Sequence, residues 1–144
     1  MLTVLLACLA VIAVTTLIHY EVLSVLDLRL PAMRIPDRSK LLVVMTATLL
    51  AHIAEMVVWG VVMWLLVHDS GVGSLRGNAD LSLVDCIYFS AETYTSLGFG
   101  DVVPVGHMRL LIGLEALNGL LLIAWSASFT YLAMERFWSG RRKS

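Results

Sequence analysis

Long apolar runs alternate along the chain with short polar breaks, and the runs are too long to be strands. Residues 2–18 hold only Thr3, Thr15 and Thr16 as polar groups, and the run continues to about residue 25 past His19 and Glu21. A second run covers 41–67, interrupted by His52 and Glu55, and a third covers about 110–134, interrupted by Glu115 and Asn118. A hydrocarbon core of roughly 30 Å takes about 20 helical residues to cross. Each run therefore predicts a transmembrane helix with some tilt. No basic residue precedes the first run and no small-residue cleavage pattern follows it, so it reads as a retained helix and not as a signal peptide.

The stretch between the second and third runs has a different grammar. Residues 69–80 are rich in Gly, Ser, Asn and Asp, with Gly71, Gly73 and Gly77 free to turn, and predict an outer, turret-like loop. Ser82-Leu83-Val84-Asp85 is a capping-box pattern, so a helix should start there and run to about Thr95. That helix is too short to cross a bilayer and too apolar for an open loop; a re-entrant helix buried among protein satisfies both conditions. Ser96-Leu97-Gly98-Phe99-Gly100-Asp101 follows. Two glycines flanking one aromatic can turn successive carbonyls to one side, and carbonyls gathered around an axis can replace the water of a dehydrated cation.

Composition sharpens this picture. Of 144 residues, 59% are hydrophobic and 15% charged, with mean hydropathy +0.86; soluble domains carry roughly 25% charged residues. A soluble domain and a multidomain enzyme are both excluded, and a net charge of −1 argues against a nucleic-acid partner. The distribution of charge says more than its sum. Arg29, Arg34, Arg38 and Lys40 separate the first two runs, together with Pro31 and Pro36, and Arg136, Arg141, Arg142 and Lys143 close the chain. The connection from 68 to 107 has only Arg76, so the positive-inside rule predicts an N-terminus outside and a cytoplasmic C-terminus. Trp59 and Trp64 should approach the outer interface, Phe137 and Trp138 the inner one. Cys8 and Cys86, without CxxC spacing, are expected as two packed thiols. No run has arginine at every third position, so no strong voltage sensor is expected.

The run Tyr88-Phe89-Ser90-Ala91-Glu92-Thr93-Tyr94-Thr95-Ser96-Leu97-Gly98-Phe99-Gly100-Asp101 resembles the pore loop and selectivity filter of the potassium channel superfamily, especially small bacterial two-transmembrane pore-domain channels. The likeness covers 41 to about 137 and leaves the first helix as an addition. It implies an all-α membrane protein of three transmembrane helices plus a re-entrant pore helix and filter loop. The divisions are an additional helix at 1–26, a cytoplasmic linker at 27–40, a pore domain at 41–137 with pore helix about 83–95 and filter 96–101, and a basic tail at 138–144. It further implies a homotetramer in a bacterial inner membrane, selective for potassium. The ion would be held at Ser96, Leu97, Gly98 and Phe99, with Gly100 completing the filter. Glu92, Thr95 and Asp101 would support that filter, Glu92 and Asp101 as a pair of acids sharing a proton, and Gly119 would be a gating hinge. Ser96, Leu97 and Phe99 stand where the family usually has Thr, Val and Tyr. The alternatives are a nonselective cation channel or a nonconducting pore-like subunit. No catalytic residues and no cofactor are expected beyond potassium as the permeant ion; the partners are lipid and further copies of the chain.

The remaining intramembrane polar groups are expected to face protein or water. His52 and Glu55 share a helix face, as do Glu115 and Asn118. These pairs, with His19 and Glu21, read as fasteners between helices, or as pH-sensing groups. Neither pair is assigned to a metal, because two neighbouring groups do not make a ligand set. His107 is expected in an exposed loop.

Overall fold

The computed structural model describes residues 1–68, 73–77 and 82–139, the side chains of Trp138 and Ser139 excepted. Arg141, Arg142 and Lys143, and most of the glycine-rich loop, lie outside the described residues. In chain order the elements are α1 (Leu2–Arg29), a 3-10 turn (Leu30–Ala32), α2 (Asp37–His68), β1 (Gly73–Gly77), α3 (Leu83–Tyr94), β2 (Val102–Gly106) and α4 (Met108–Ser139). Three helices are long and apolar enough to cross a membrane, over Leu2–Ala32, Asp37–His68 and Met108–Phe137.

The packing is the reverse of a water-soluble protein. Leu2, Leu9, Leu42, Leu50, Leu121 and Leu132 are well exposed, whereas Thr15, His19, Glu55, Ser90, Glu92 and Glu115 are buried. Apolar groups facing outward and polar groups facing one another is what a hydrocarbon solvent demands. On α1 the buried positions Val4, Cys8, Val11, Thr15, His19, Leu23 and Leu26 form one stripe at helical spacing. Its upper part packs with Trp59, Met63 and Met108, its lower part with Val44 and Ala133. The additional helix is therefore docked on the bundle along its whole length. Both cysteines are buried free thiols, as their isolated positions suggest.

Pro31 sits in the first turn of the 3-10 segment, where its missing N–H ends α1. The helices extend further into the basic linker than the charge pattern suggests: α1 takes in Arg29 and α2 takes in Arg38 and Lys40. Long basic side chains can reach the interface from a helix without breaking it. Lys40 lies 3.3 Å from Asp37 and over the Phe137 ring at 4.8 Å, and Arg136 reaches Asp27 at 3.4 Å. The basic linker and the end of α4 thus share one end of the bundle.

Two features were not legible beforehand. Trp59 is fully buried in the core, not placed at an interface, because α2 turns that face toward α3 and α4. Trp64, half-buried, stacks on His68 at 4.8 Å. The second feature is an antiparallel ribbon, so the molecule is three long helices with a β-hairpin between them: Gly73 pairs with Gly106 and Gly77 with Val102. β1 precedes α3 and β2 follows the glycine loop, so the ribbon clasps both ends of that excursion. Leu75 and Val102 anchor it in the core. A Cβ at Gly77 would fall 1.9 Å from the Asp101 carbonyl oxygen, a contact only glycine permits.

Candidate functional site

The Ser82 hydroxyl accepts from the Asp85 amide at 3.2 Å, and the Ser82 amide donates to Asp85 Oδ2 at 3.1 Å, closing the capping box at the start of α3. Its far end is capped as tightly. The Ser96 amide donates to the Thr93 carbonyl at 2.9 Å and the Leu97 amide to the Glu92 carbonyl at 2.8 Å, the two bonds of a Schellman motif. That motif needs a left-handed residue, and Ser96 supplies it with φ 58°. Gly98 and Gly100 repeat the left-handed turn at φ 55° and 81°, while Leu97 and Phe99 do not share it. The sign of φ therefore alternates residue by residue from 96 to 100. The loop is open on its outer side: Leu97 and Phe99 are 59% and 66% exposed, and nothing lies within 4 Å of a Cβ built on Gly98 or Gly100.

α3 is gripped from two sides. A Cβ on Gly60 of α2 would meet the Ile87 Cα at 2.7 Å, and one on Gly119 of α4 would meet the Tyr94 carbonyl oxygen at 2.2 Å. Gly119 thus lies within a continuous α4 and lets that helix touch the last turn before the loop.

The acids behind the loop do not bond to each other. Asp101 is exposed and accepts from the Tyr88 hydroxyl at 3.3 Å. Glu92 is buried, and neither carboxyl oxygen has a hydrogen-bond partner among the described residues. It lines a cavity of about 280 Å³ together with Thr93, Ser96, Gly98 and Gly100. The nearby Glu92 carboxylate, with the Asp101 charge adding to it, pushes the Tyr88 hydroxyl up to about 12, so it donates as a neutral phenol. The Thr95 hydroxyl turns back to the Ala91 carbonyl at 2.7 Å.

A second cluster lies in the bundle interior. His19 Nδ1 is 2.9 Å from Glu55 Oε1, and His52 Nδ1 is 3.1 Å from Glu55 Oε2 and 2.9 Å from the Tyr94 hydroxyl. Tyr94 also donates to Glu55 Oε2. On the other side of both rings, Ser126 Oγ stands 3.1 Å from His19 Nε2 and 3.0 Å from His52 Nε2. One residue from α1, two from α2, one from α3 and one from α4 close into a single network. Its neighbours extend it: Asn118 donates to Thr15 Oγ1 at 2.9 Å, and Ser90 Oγ lies 2.5 Å from Glu115 Oε1 and 2.8 Å from the Met56 carbonyl oxygen, with one proton to give between them. Glu115 and Asn118 thus share a face without bonding each other. Glu21 and His107 are exposed and outside the network. Sequence reasoning passed over Tyr94, Ser126 and Ser90. The signal for Ser126 was available, since Glu115, Asn118, Leu122 and Ser126 follow one another on a single buried helical stripe.

Three membrane-length helices around a short buried helix and a left-handed glycine loop make up an ion-channel architecture. The chain belongs to the ion-channel family, whose sequence profile matches residues 43–136. Members of that class move ions and perform no covalent chemistry. A stretch of 56 residues, 38% of this chain, is 38% identical to the inward rectifier potassium channel Kirbac3.1 of Paramagnetospirillum magnetotacticum, of which it covers 19%. The match therefore spans about a fifth of that relative's length. No solved structure matches the chain.

Proposed function

We propose that four copies of this chain surround a common axis and pass dehydrated potassium ions between the backbone carbonyls of Ser96, Leu97, Gly98 and Phe99. The observation that carries this reading is the alternation in the sign of φ at 96–100. Alternating left- and right-handed residues rotate successive peptide planes the same way, which collects like dipoles on one side of the strand. A row of carbonyls on one side offers a cation repeated sites, and repulsion between neighbouring ions keeps any one from being trapped. The open side of the loop and the exposed Leu97 and Phe99 favour partner copies as their covering.

In this reading α3 is the pore helix. Its C-terminal end, Tyr94, leads into the filter, and the partial negative charge there favours a cation in the cavity below. Tyr88, from within α3, brings to Asp101 a hydroxyl that Phe99 lacks. The clustering of Lys40, Arg136 and the basic linker at one end favours that end as cytoplasmic, with the N-terminus outside. Gly119 serves as a bend point only if α4 parts from Tyr94 on opening. The bacterial relative matched over 56 residues is a potassium channel, which supports the choice of ion.

Bi-ionic reversal potentials in liposome-fused bilayers, potassium against sodium, test the proposal. Wild type is expected to carry a potassium-selective current, and Gly98→Ala, which forces a side chain onto a left-handed residue, is expected to abolish it. Equal permeability to the two ions would replace the reading with a nonselective channel. Absence of current from well-formed tetramers would replace it with a nonconducting subunit.

A further inference from the structure

The interior network holds more donors than a pair of helix fasteners needs. Besides Glu55, the two imidazoles and the Tyr94 phenol all direct an atom to the same small volume, and one atom each from His19, His52 and Glu55 lie within 4.8 Å of one another. His19 and Glu55 are fully buried and come from different helices. We propose that His19 Nδ1, His52 Nδ1, a Glu55 carboxyl oxygen and the Tyr94 oxygen form a binding site for one divalent transition metal of the zinc type.

Donor and acceptor accounting supports the assignment. Without a metal, Glu55 accepts an Nδ1–H from each imidazole, and both Nε2 atoms then face Ser126 Oγ. A hydroxyl has one proton, so it donates to one Nε2 and accepts from the other. With a dication, both rings turn their Nδ1 lone pairs to the metal and both Nε2–H groups donate to the two lone pairs of Ser126 Oγ. Ser126 then orients both ligands at once, the usual task of a group bonded to the far nitrogen of a metal-bound histidine.

Size and access agree. Tetrahedral sites with bonds of about 2.0–2.1 Å hold their donors roughly 3.3 Å apart. The two imidazole–carboxylate contacts, 2.9 Å to Oε1 and 3.1 Å to Oε2, are close to that spacing; loading the site requires the carboxylate to turn one oxygen to the ion, the Tyr94 oxygen to back away from it, and a donor set that now spans up to 4.8 Å to contract. His52 and Ser126 also form the wall of a cavity of about 520 Å³ between α2 and α4, which Met45, Thr48, Thr130 and Met134 line as well, giving an entry path past two thioethers. Imidazole with carboxylate and phenolate oxygen suits zinc or cobalt better than calcium or magnesium, which take oxygen alone. Tyr94 stands two residues before Ser96, so a bound ion would tie α1 and α2 to the base of the loop. Only that last consequence rests on the channel reading; metal uptake does not.

Chelator-stripped full-length protein in detergent, titrated with Co2+ alone and followed by visible absorption and by metal content after desalting, tests the site. Wild type is expected to take up one Co2+ per chain with the strong visible bands of a low-symmetry four-coordinate site, and Zn2+ should displace it and erase the bands. His52→Gln and His19→Gln should each lose at least about 100-fold in affinity, and Ser126→Ala about 10–100-fold. His68→Gln and His107→Gln, on the two histidines outside the network, should bind as wild type does. If a variant fails to fold, the wild-type titration alone decides. Monodisperse wild type that stays colourless and retains no cobalt overturns the site, as does uptake that vanishes in His68→Gln or His107→Gln.

Discussion

The polar interior and the glycine loop are built on opposite plans. In the interior, Glu55 meets three donors and both nitrogens of each imidazole ring have a partner, with groups drawn from all four helices of one chain. Among the described residues nothing lies within 4 Å of a Cβ built on Gly98 or Gly100, and the two large side chains of the loop are mostly exposed. One region finishes itself within a single copy, while the other holds a demanding backbone shape and leaves its surroundings to something else. Burying an unpaired polar group in hydrocarbon is costly, and the Glu55 cluster meets that demand within one chain, although Glu115 Oε2 and Trp59 Nε1 beside it have no partner among the described residues. The backbone of the loop, by contrast, is held from behind by the Schellman bonds, the ribbon and Gly119, and in the proposed tetramer its remaining neighbours come from other copies.

The largest test strikes the completed region. Glu55→Gln keeps the volume but removes the anion that three donors share, and breaking a buried charged pair on one side costs about 3–5 kcal/mol. Thermal unfolding in detergent, read from tryptophan fluorescence, should show a clear fall in Tm. A Tm within a degree of wild type would mean the network carries no such weight, and the contrast between the two regions would collapse.

Next comes the joint between them. Gly119→Ala places a methyl 2.2 Å from the Tyr94 carbonyl oxygen, so α4 must withdraw from α3. Overpacking of this kind costs about 1–3 kcal/mol. Because Tyr94 belongs to both regions, its displacement should also accelerate amide exchange at Ser96 and Leu97, whose N–H groups bond back to α3. Unaltered exchange at those two amides would show that loop and interior are independent.

The smallest effect lies in the loop itself. Ser96 is the described non-glycine residue with positive φ, a conformation that costs roughly 1–2 kcal/mol with a side chain present. Ser96→Gly should therefore raise stability by up to about 1 kcal/mol, after the extra chain entropy of glycine is subtracted. In the proposed pore, the loss of that hydroxyl from the inner end of the loop should also weaken the cation current. A stability loss would place the left-handed residue outside the capping role its hydrogen bonds describe.

Much of this was readable along the chain. Hydropathy and length are local sums, and a bilayer converts them directly into helices, because a backbone in hydrocarbon must satisfy its own hydrogen bonds. The capping box at Ser82 and Asp85 is likewise a relation over three residues, and the glycines at 98 and 100 permit the left-handed backbone found there. The ribbon escaped notice because its strands are five residues each, separated by α3 and the loop, and their pairing is a contact at long range. Trp59 was misplaced for a related reason: position along a helix is legible, but the face it presents is decided by the neighbours.

The sequence by itself determined three membrane-length helices, a short capped helix between the last two, and a glycine loop able to turn its carbonyls together. Tertiary structure alone decided that His19 meets Glu55 across 36 positions, that Ser126 closes on His19 across 107, and that Gly119 is a contact surface for Tyr94. The physical reason is that helix formation depends on bonds within a turn or two, whereas these meetings depend on the relative rotation and height of whole helices. Those are set by which stripes of side chains interlock, a property of the packed bundle that no single segment contains.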